Sequence, residues 1–166
     1  NLPCIAEKEV FAFSNIADQL IAEMQKNGAY LITQEQADQL AGVVLEEKTN
    51  KAGVKFKTVS RDCVGRDADV LLAKIGIHVD KSVRCIICET YFMHEFVQHE
   101  LMMPILPIVR VDNIDQAIDL AVKAEHGNRH TAHMHSKNID HLTRFARAVE
   151  TTIFVKNAPS YAGIGF

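Results

Sequence analysis

The chain is 166 residues long, 48% hydrophobic and carries a formal net charge of −3. A chain of this size removes roughly two-thirds of its unfolded surface from water, so one apolar core suffices without a disulfide or metal staple. Eighteen basic residues are scattered among twenty-one acidic ones, which excludes the basic stripe of a nucleic-acid-binding protein, and no apolar run approaches the roughly 20 residues that span a bilayer.

Taken in chain order, the pattern alternates strand and helix. Val10–Phe13 is a short apolar run bounded by charge and Ser14, as in a strand. Ile16, Leu20 and Met24, with Ala17 and Ile21, recur at helical spacing, and Asn27-Gly28 supplies a stop. Thr33-Gln34-Glu35-Gln36 is a capping box that opens a second helix running to about Glu46. Residues 49–53 read as a polar connector and the least ordered stretch. Residues 67–75 form the third helical pattern, stopped by Gly76. Residues 83–88 are nearly all apolar, as in a strand buried on both faces. Residues 105–111 are another such run, with Pro104 and Pro107 marking its start. A helix over 114–125 follows, boxed by Asn113 and Gln116 and stopped by Gly127. A strand over 131–136, a helix over 139–150 and a strand over 152–155 complete the series. Strands separated by helices of this length predict βαβ units, and hence a three-layer αβα domain around a mostly parallel sheet.

Four cysteines, at 4, 63, 85 and 88, in a domain with an adequate core read as reduced thiols in a cytoplasmic protein. No charged-then-apolar secretory signal is visible. The chain opens at Asn1 and stops in a glycine-containing turn, Ile164-Gly165-Phe166, so both ends read as cut from a longer protein.

Cys4 lies in Asn1-Leu2-Pro3-Cys4-Ile5-Ala6, just before the first strand. Pro3 biases Leu2 toward an extended backbone, and Cys4 is expected to begin a helical turn whose positive end favours the thiolate. Spacing alone does not separate a reactive thiol from a small buried hydrophobe.

Four segments carry more information. Asn1–Glu9, His99-Glu100-Leu101-Met102-Met103-Pro104-Ile105-Leu106-Pro107, Arg129-His130-Thr131-Ala132-His133-Met134-His135-Ser136 and Thr151-Thr152-Ile153-Phe154-Val155-Lys156-Asn157 together resemble the CoA-acylating acetaldehyde and propionaldehyde dehydrogenases of ethanolamine and propanediol utilisation, within the aldehyde dehydrogenase superfamily. The resemblance runs from first residue to last and is weakest over residues 46–57.

It implies that residues 1–166 are the thioester-forming catalytic domain, with the NAD-binding domain elsewhere. Cys4 stands at the family's nucleophile position. It would attack the aldehyde carbonyl, yield hydride to NAD and carry the acyl group until coenzyme A removes it. Glu100 matches the acidic residue that holds the nicotinamide ribose, and Met102 sits where many members carry a Phe beside the nicotinamide. His130 matches a histidine typical of the acylating branch and would act as a proton acceptor near Cys4. Asn157 and Ser160 match a segment lining the acyl pocket. The resemblance also implies a homo-oligomer and association with bacterial microcompartments. Two other readings stay open: a hydrolytic aldehyde dehydrogenase, and a non-enzymatic α/β module whose Cys4 is structural or redox-sensing.

Other signals are discounted. Cys85-Ile86-Ile87-Cys88 has CxxC spacing, but in a strand its two thiols face opposite sides, so neither a redox nor a metal role is assigned. His133 and His135 would share a strand face, and surface solvation is the expected state, with no carboxylate spaced nearby in sequence. Cys63 stands where the family carries an aromatic residue. No Walker loop or GxGxxG is present, so this chain holds only the nicotinamide-ribose end of a dinucleotide site.

Overall fold

The computed structural model describes residues 3–165, so the expectation for Leu2 lies outside the described residues. Strand β1 is Val10–Phe13 and runs directly into helix α1, Ser14–Lys26, both within a residue or two of the predicted limits. A short strand β2, Ala29–Ile32, follows; it is not among the predicted elements, although its four residues form an apolar run between Gly28 and Thr33. Helix α2, Gln34–Val44, starts at the capping box: Gln36 N donates to Thr33 Oγ1 at 3.2 Å, and Thr33 N donates to Gln36 Oε1 at 2.9 Å.

Helix α2 ends at Val44 rather than near Glu46, because the next residues enter a hairpin. Strands β3, Leu45–Thr49, and β4, Lys55–Val59, pair antiparallel from Leu45↔Val59 to Thr49↔Lys55. The polar connector is therefore an ordered turn. Asn50 Oδ1 accepts from Ala52 N at 2.9 Å and Val54 N at 3.0 Å, and Gly53 takes φ +80, which a residue with a Cβ resists.

Helix α3, Ala68–Ala73, strand β5, Cys85–Glu89, and a single helical turn α4, Glu95–Gln98, come next. Strand β6 occupies Ile105–Val111, so Pro107 lies inside it and not at its start. The missing N–H is tolerated because the pairing of β6 with β1 begins only at Ile108. Helix α5, Ile114–Ala124, strand β7, Thr131–Met134, helix α6, Ile139–Val149, and strand β8, Ile153–Lys156, follow the predicted alternation, and a 3-10 turn covers Ser160–Ile164.

The main sheet is parallel, in the order β1-β6-β5-β2. Alternation along β5 divides the core. Ile87, with Ala12 and Ile108, packs against Ala17 and Ile21 of α1. Ile86 and Cys88 face the other way, onto Leu40 and Val44 of α2 and Leu71 and Leu72 of α3. Val109 shares a cluster with Ala124 of α5 and Val97 of α4. Helices thus cover both sheet faces, giving the expected three layers. Fully burying each such Leu or Ile contributes about 1.5–3 kcal/mol.

Strands β7 and β8 pair in parallel as a separate ribbon, from Thr131↔Ile153 to Met134↔Lys156. Among the described residues, β1 pairs only with β6, and β7 only with β8. Residues of both strands line one cleft of about 840 Å³.

Candidate active site

Cys4 is exposed and lines this cleft. It sits in an isolated turn closed by Ala6 N donating to Pro3 O at 2.9 Å. No helix follows: residues 7–9 have no regular structure and lead into β1. The expected helical turn is thus reduced to one reverse turn, and there is no helix N-terminus to polarise the thiol. Its accessibility rules out the reading in which Cys4 is a sealed core hydrophobe.

The polar part of the lining brings Cys4 together with Glu7, Glu9, Glu100, His130 and His133. Most of the remainder is apolar, including Val10 and Ala12 of β1, Leu20 and Met24 of α1, and Ala117 of α5. His130 immediately precedes β7. Its backbone N–H donates to Glu125 Oε1 at 3.0 Å, and its Nδ1 shares a 2.7 Å hydrogen bond with Thr131 Oγ1. That pairing leaves Nε2 as the ring nitrogen available to a ligand.

Glu100 is exposed, and no hydrogen bond or ion pair joins its carboxylate to another described residue. It lies on the segment between α4 and β6, where Leu101 and Met103 are both buried. Met102 between them adopts φ +54, uncommon for a side chain of this size, and its carbonyl accepts from Gly65 N at 3.1 Å. The kink lets both neighbours bury while Glu100 stays at the cleft. Met102 itself is half-buried and does not line the cleft.

Asn157 and Ser160 also lie off the lining. Both ends of the Asn157 amide are engaged by Ser136: Oδ1 accepts from its N–H at 2.8 Å, and Nδ2 donates to its carbonyl at 3.0 Å. This fastens the end of β7 to that of β8. Ser160 is fully buried, and its N–H donates to Glu7 Oε1 at 3.1 Å. The placement of these two residues is that of braces, and it lends no support to direct contact with an acyl group.

Sequence reasoning misses Glu7 and misjudges His133. The Glu7 carboxylate is 3.6 Å from His133 Nε2, so His133 is half-buried against a carboxylate instead of solvated. Burial opposes ionisation of Glu7, but its own backbone N–H, Ser160 and His133 outweigh that and hold its carboxyl below the usual range. Desolvation pushes the His133 imidazole below its ordinary value, against the pull of Glu7, which favours the neutral ring at neutral pH. Burial acts on Glu9 too and raises its carboxyl, only partly offset by Lys8 Nζ 2.8 Å away. A sequence signal for Glu7 existed in the charged triplet Glu7-Lys8-Glu9 entering a buried strand, where charges need partners.

The other thiols are less accessible than Cys4. Cys63 is in the core, and Cys85 and Cys88 face opposite sides of β5, as expected of that run. Burial pushes Cys85 up to about 11 and Cys88 up to about 12. Among the described residues no three His, Cys, Asp or Glu side chains gather as a metal site, and no helix is long and apolar enough to cross a membrane.

Comparison with known proteins bears on this arrangement. Residues 3–164 match the model of the aldehyde dehydrogenase family. The chain is 46% identical over 165 residues to an acetylating acetaldehyde dehydrogenase of Escherichia coli (strain K12), covering 99% of this chain and 35% of that protein. A propionaldehyde dehydrogenase from the Clostridium phytofermentans fucose utilisation bacterial microcompartment superposes with TM-score 0.88 at 51% identity, over 99% of this chain and 36% of the other. The Rhodopseudomonas palustris propionaldehyde dehydrogenase, solved with bound CoA and an acylated cysteine, gives TM-score 0.87 at 50% identity, over 98% of this chain and 36% of the other. The chain therefore spans about a third of the length of these relatives.

Proposed function

Because the chain belongs to the aldehyde dehydrogenase family, we propose that it is the thioester-forming part of a CoA-acylating aldehyde dehydrogenase. The whole protein would convert a short aldehyde, NAD⁺ and CoA into acyl-CoA and NADH, or run the reverse. The observation that carries this reading is an exposed cysteine on a cleft whose lining also includes an unpaired carboxylate, Glu100, and an imidazole, His130.

The chemistry follows from these groups. The Cys4 thiolate adds to the aldehyde carbon, giving a thiohemiacetal and a developing oxyanion. The Cys4 backbone N–H meets no acceptor among the described residues and would donate to that oxygen. A nicotinamide dinucleotide fits the residues present: the exposed Glu100 carboxylate, on the cleft beside the Met102 backbone kink, would accept from the two ribose hydroxyls. When bound, NAD⁺ supplies the acceptor for the hydride that leaves the thiohemiacetal carbon. A thioester remains on Cys4. His130 Nε2 takes the proton of the incoming CoA thiol, whose sulfur displaces the Cys4 thiolate and carries the acyl group away. One thioester replaces another, so the exchange is close to balanced and reversible. The rest of the dinucleotide site is assigned to the part of the protein outside this chain, and with it any oligomer contacts. A cytoplasmic or microcompartment location follows the same analogy.

Assaying the full-length protein with propionaldehyde and NAD⁺, with and without CoA, tests the reading. Acyl-CoA formation that requires CoA and is abolished by Cys4→Ala supports it. Free acid formed equally without CoA assigns the protein to the hydrolytic branch, and activity retained in Cys4→Ala removes the proposed nucleophile.

A further inference from the structure

The short link between Cys4 and β1 is held by polar contacts that the chemistry above does not use. Lys8 Nζ donates to the Val97 carbonyl at 2.5 Å, tying the link to α4 and so to the segment that carries Glu100. Glu7 turns the other way. Its carboxylate accepts from Ser160 N at 3.1 Å and stands 3.6 Å from His133 Nε2. Ser160 opens the turn after β8, and His133 lies on β7, three residues beyond His130. The β7–β8 ribbon has no strand pairing to the main sheet among the described residues. Glu7 is thus a polar bridge between the strand link that bears Cys4 and the ribbon that bears His130. Ser160 is fully buried, so the Ser160–His133–Glu7 grouping is no nucleophilic triad in its own right.

We infer that Glu7 is a positioning residue for acyl transfer, setting the Cys4 turn against the β7–β8 ribbon so that the Cys4 thioester and His130 meet the same CoA thiol. This rests on the reading of Cys4 as acyl carrier. A carboxylate suits the task because it accepts from Ser160 N while its charge faces the His133 ring, and a neutral side chain of that size keeps only the first of these. A displacement of about 1 Å at a reacting pair can cost about 100-fold in rate.

The test uses the full-length protein with propionaldehyde, NAD⁺ and CoA, and the variants Glu7→Gln, Glu7→Asp, Glu7→Ala and Cys4→Ala. Glu7→Gln keeps an acceptor for Ser160 N but gives up the charge that faces His133; Glu7→Ala gives up both. The expected order of kcat is wild type, then Asp, then Gln, then Ala, with the Ala variant down about 10- to 100-fold and KM for propionaldehyde moving less than about threefold. Recovery by Asp together with a change confined to kcat is not what a purely structural lesion produces. Wild-type kcat in both Gln and Ala overturns the inference, as does an effect confined to KM or an Asp variant no better than Ala. Should Glu7→Ala fail to fold, Gln against Asp decides. Activity persisting in Cys4→Ala would instead overturn the assignment of the nucleophile, leaving the two failures distinguishable.

Discussion

Replacing Gly163 by Ala tests how tightly the turn behind the site is packed. A Cβ built at Gly163 would lie 2.5 Å from Ile153 Cγ2 and 3.0 Å from Val155 Cγ2, both on β8. An ordinary contact between such carbons is about 3.5–4.0 Å, so turn and strand must separate by close to 1 Å. Neither neighbour can swing aside freely, because both are β-branched. Overpacking of this kind costs about 1–3 kcal/mol, which in a domain of this size lowers Tm by roughly 2–4 °C per kcal/mol. Gly42→Ala is the internal control. Gly42 is exposed within α2 with nothing within 4 Å of an added Cβ, so alanine there should stabilise by about 0.4–1 kcal/mol. Thermal and urea unfolding of both variants reads the result. The same Gly→Ala change should act with opposite sign at the two positions. A Gly163→Ala protein as stable as the parent would refute the packing described between the Ser160–Ile164 turn and β8, and with it the fixed position of Ser160 N beneath Glu7.

Further expectations concern titration, capping and the cofactor. The folded values of Cys85 and Cys88, about 11 and about 12, lie above the usual thiol value of about 8.5. Their contribution to stability is present below that pH and lost as pH rises through the window up to the folded values. The unfolding free energy should fall by up to about 2.7 kcal/mol per pH unit in that window, and by half as much in Cys88→Ala, measured by urea titration at several pH values. For Glu7 and His133 the sign is reversed: both are shifted down in the folded state, so the stability they contribute is present at neutral pH and is lost on acidification, first as the unfolded histidine takes up its proton near 6.5. Thr33→Ala, which removes one half of the capping box, should cost about 1 kcal/mol in the same unfolding assay. Glu100→Gln should raise KM for NAD⁺ in the full-length protein by about tenfold or more, the loss expected for a charged hydrogen-bond acceptor, while KM for propionaldehyde stays nearly fixed.

Much of this architecture was legible because one residue pattern carried each element. Strand β6 and helix α5 are continuous in hydropathy and capped by recognisable residues, so their limits fell within a residue or two of prediction. The β3–β4 hairpin was not legible. Its strands, Leu-Glu-Glu-Lys-Thr and Lys-Phe-Lys-Thr-Val, bury almost no face and are joined by cross-strand contacts such as Lys55 Nζ to Glu47 Oε1 at 2.8 Å. An element stabilised by hydrogen bonds and surface charge leaves no apolar period to read.

The same distinction applies to the site. Cys4, Glu100 and His130 were proposed through resemblance, and all three line one cleft. The helix dipole expected at Cys4 was wrong because no helix follows its turn, and Glu7 and Lys8 find tertiary partners instead of helical neighbours. Those partners, Ser160, His133 and Val97, come from distant parts of the chain, and no local spacing rule reports them. His133 looked solvated for the same reason: the carboxylate that meets it comes from the other end of the sequence.

The most direct measurement is to incubate the full-length protein with propionyl-CoA, without NADH, and locate the acyl group by peptide mass spectrometry. A propionyl thioester confined to the Cys4 peptide, removed by added CoA and absent from Cys4→Ala, is the predicted result. An acyl group carried on Cys63, Cys85 or Cys88, or acyl-CoA production by a protein in which Cys4 is never acylated, would contradict it.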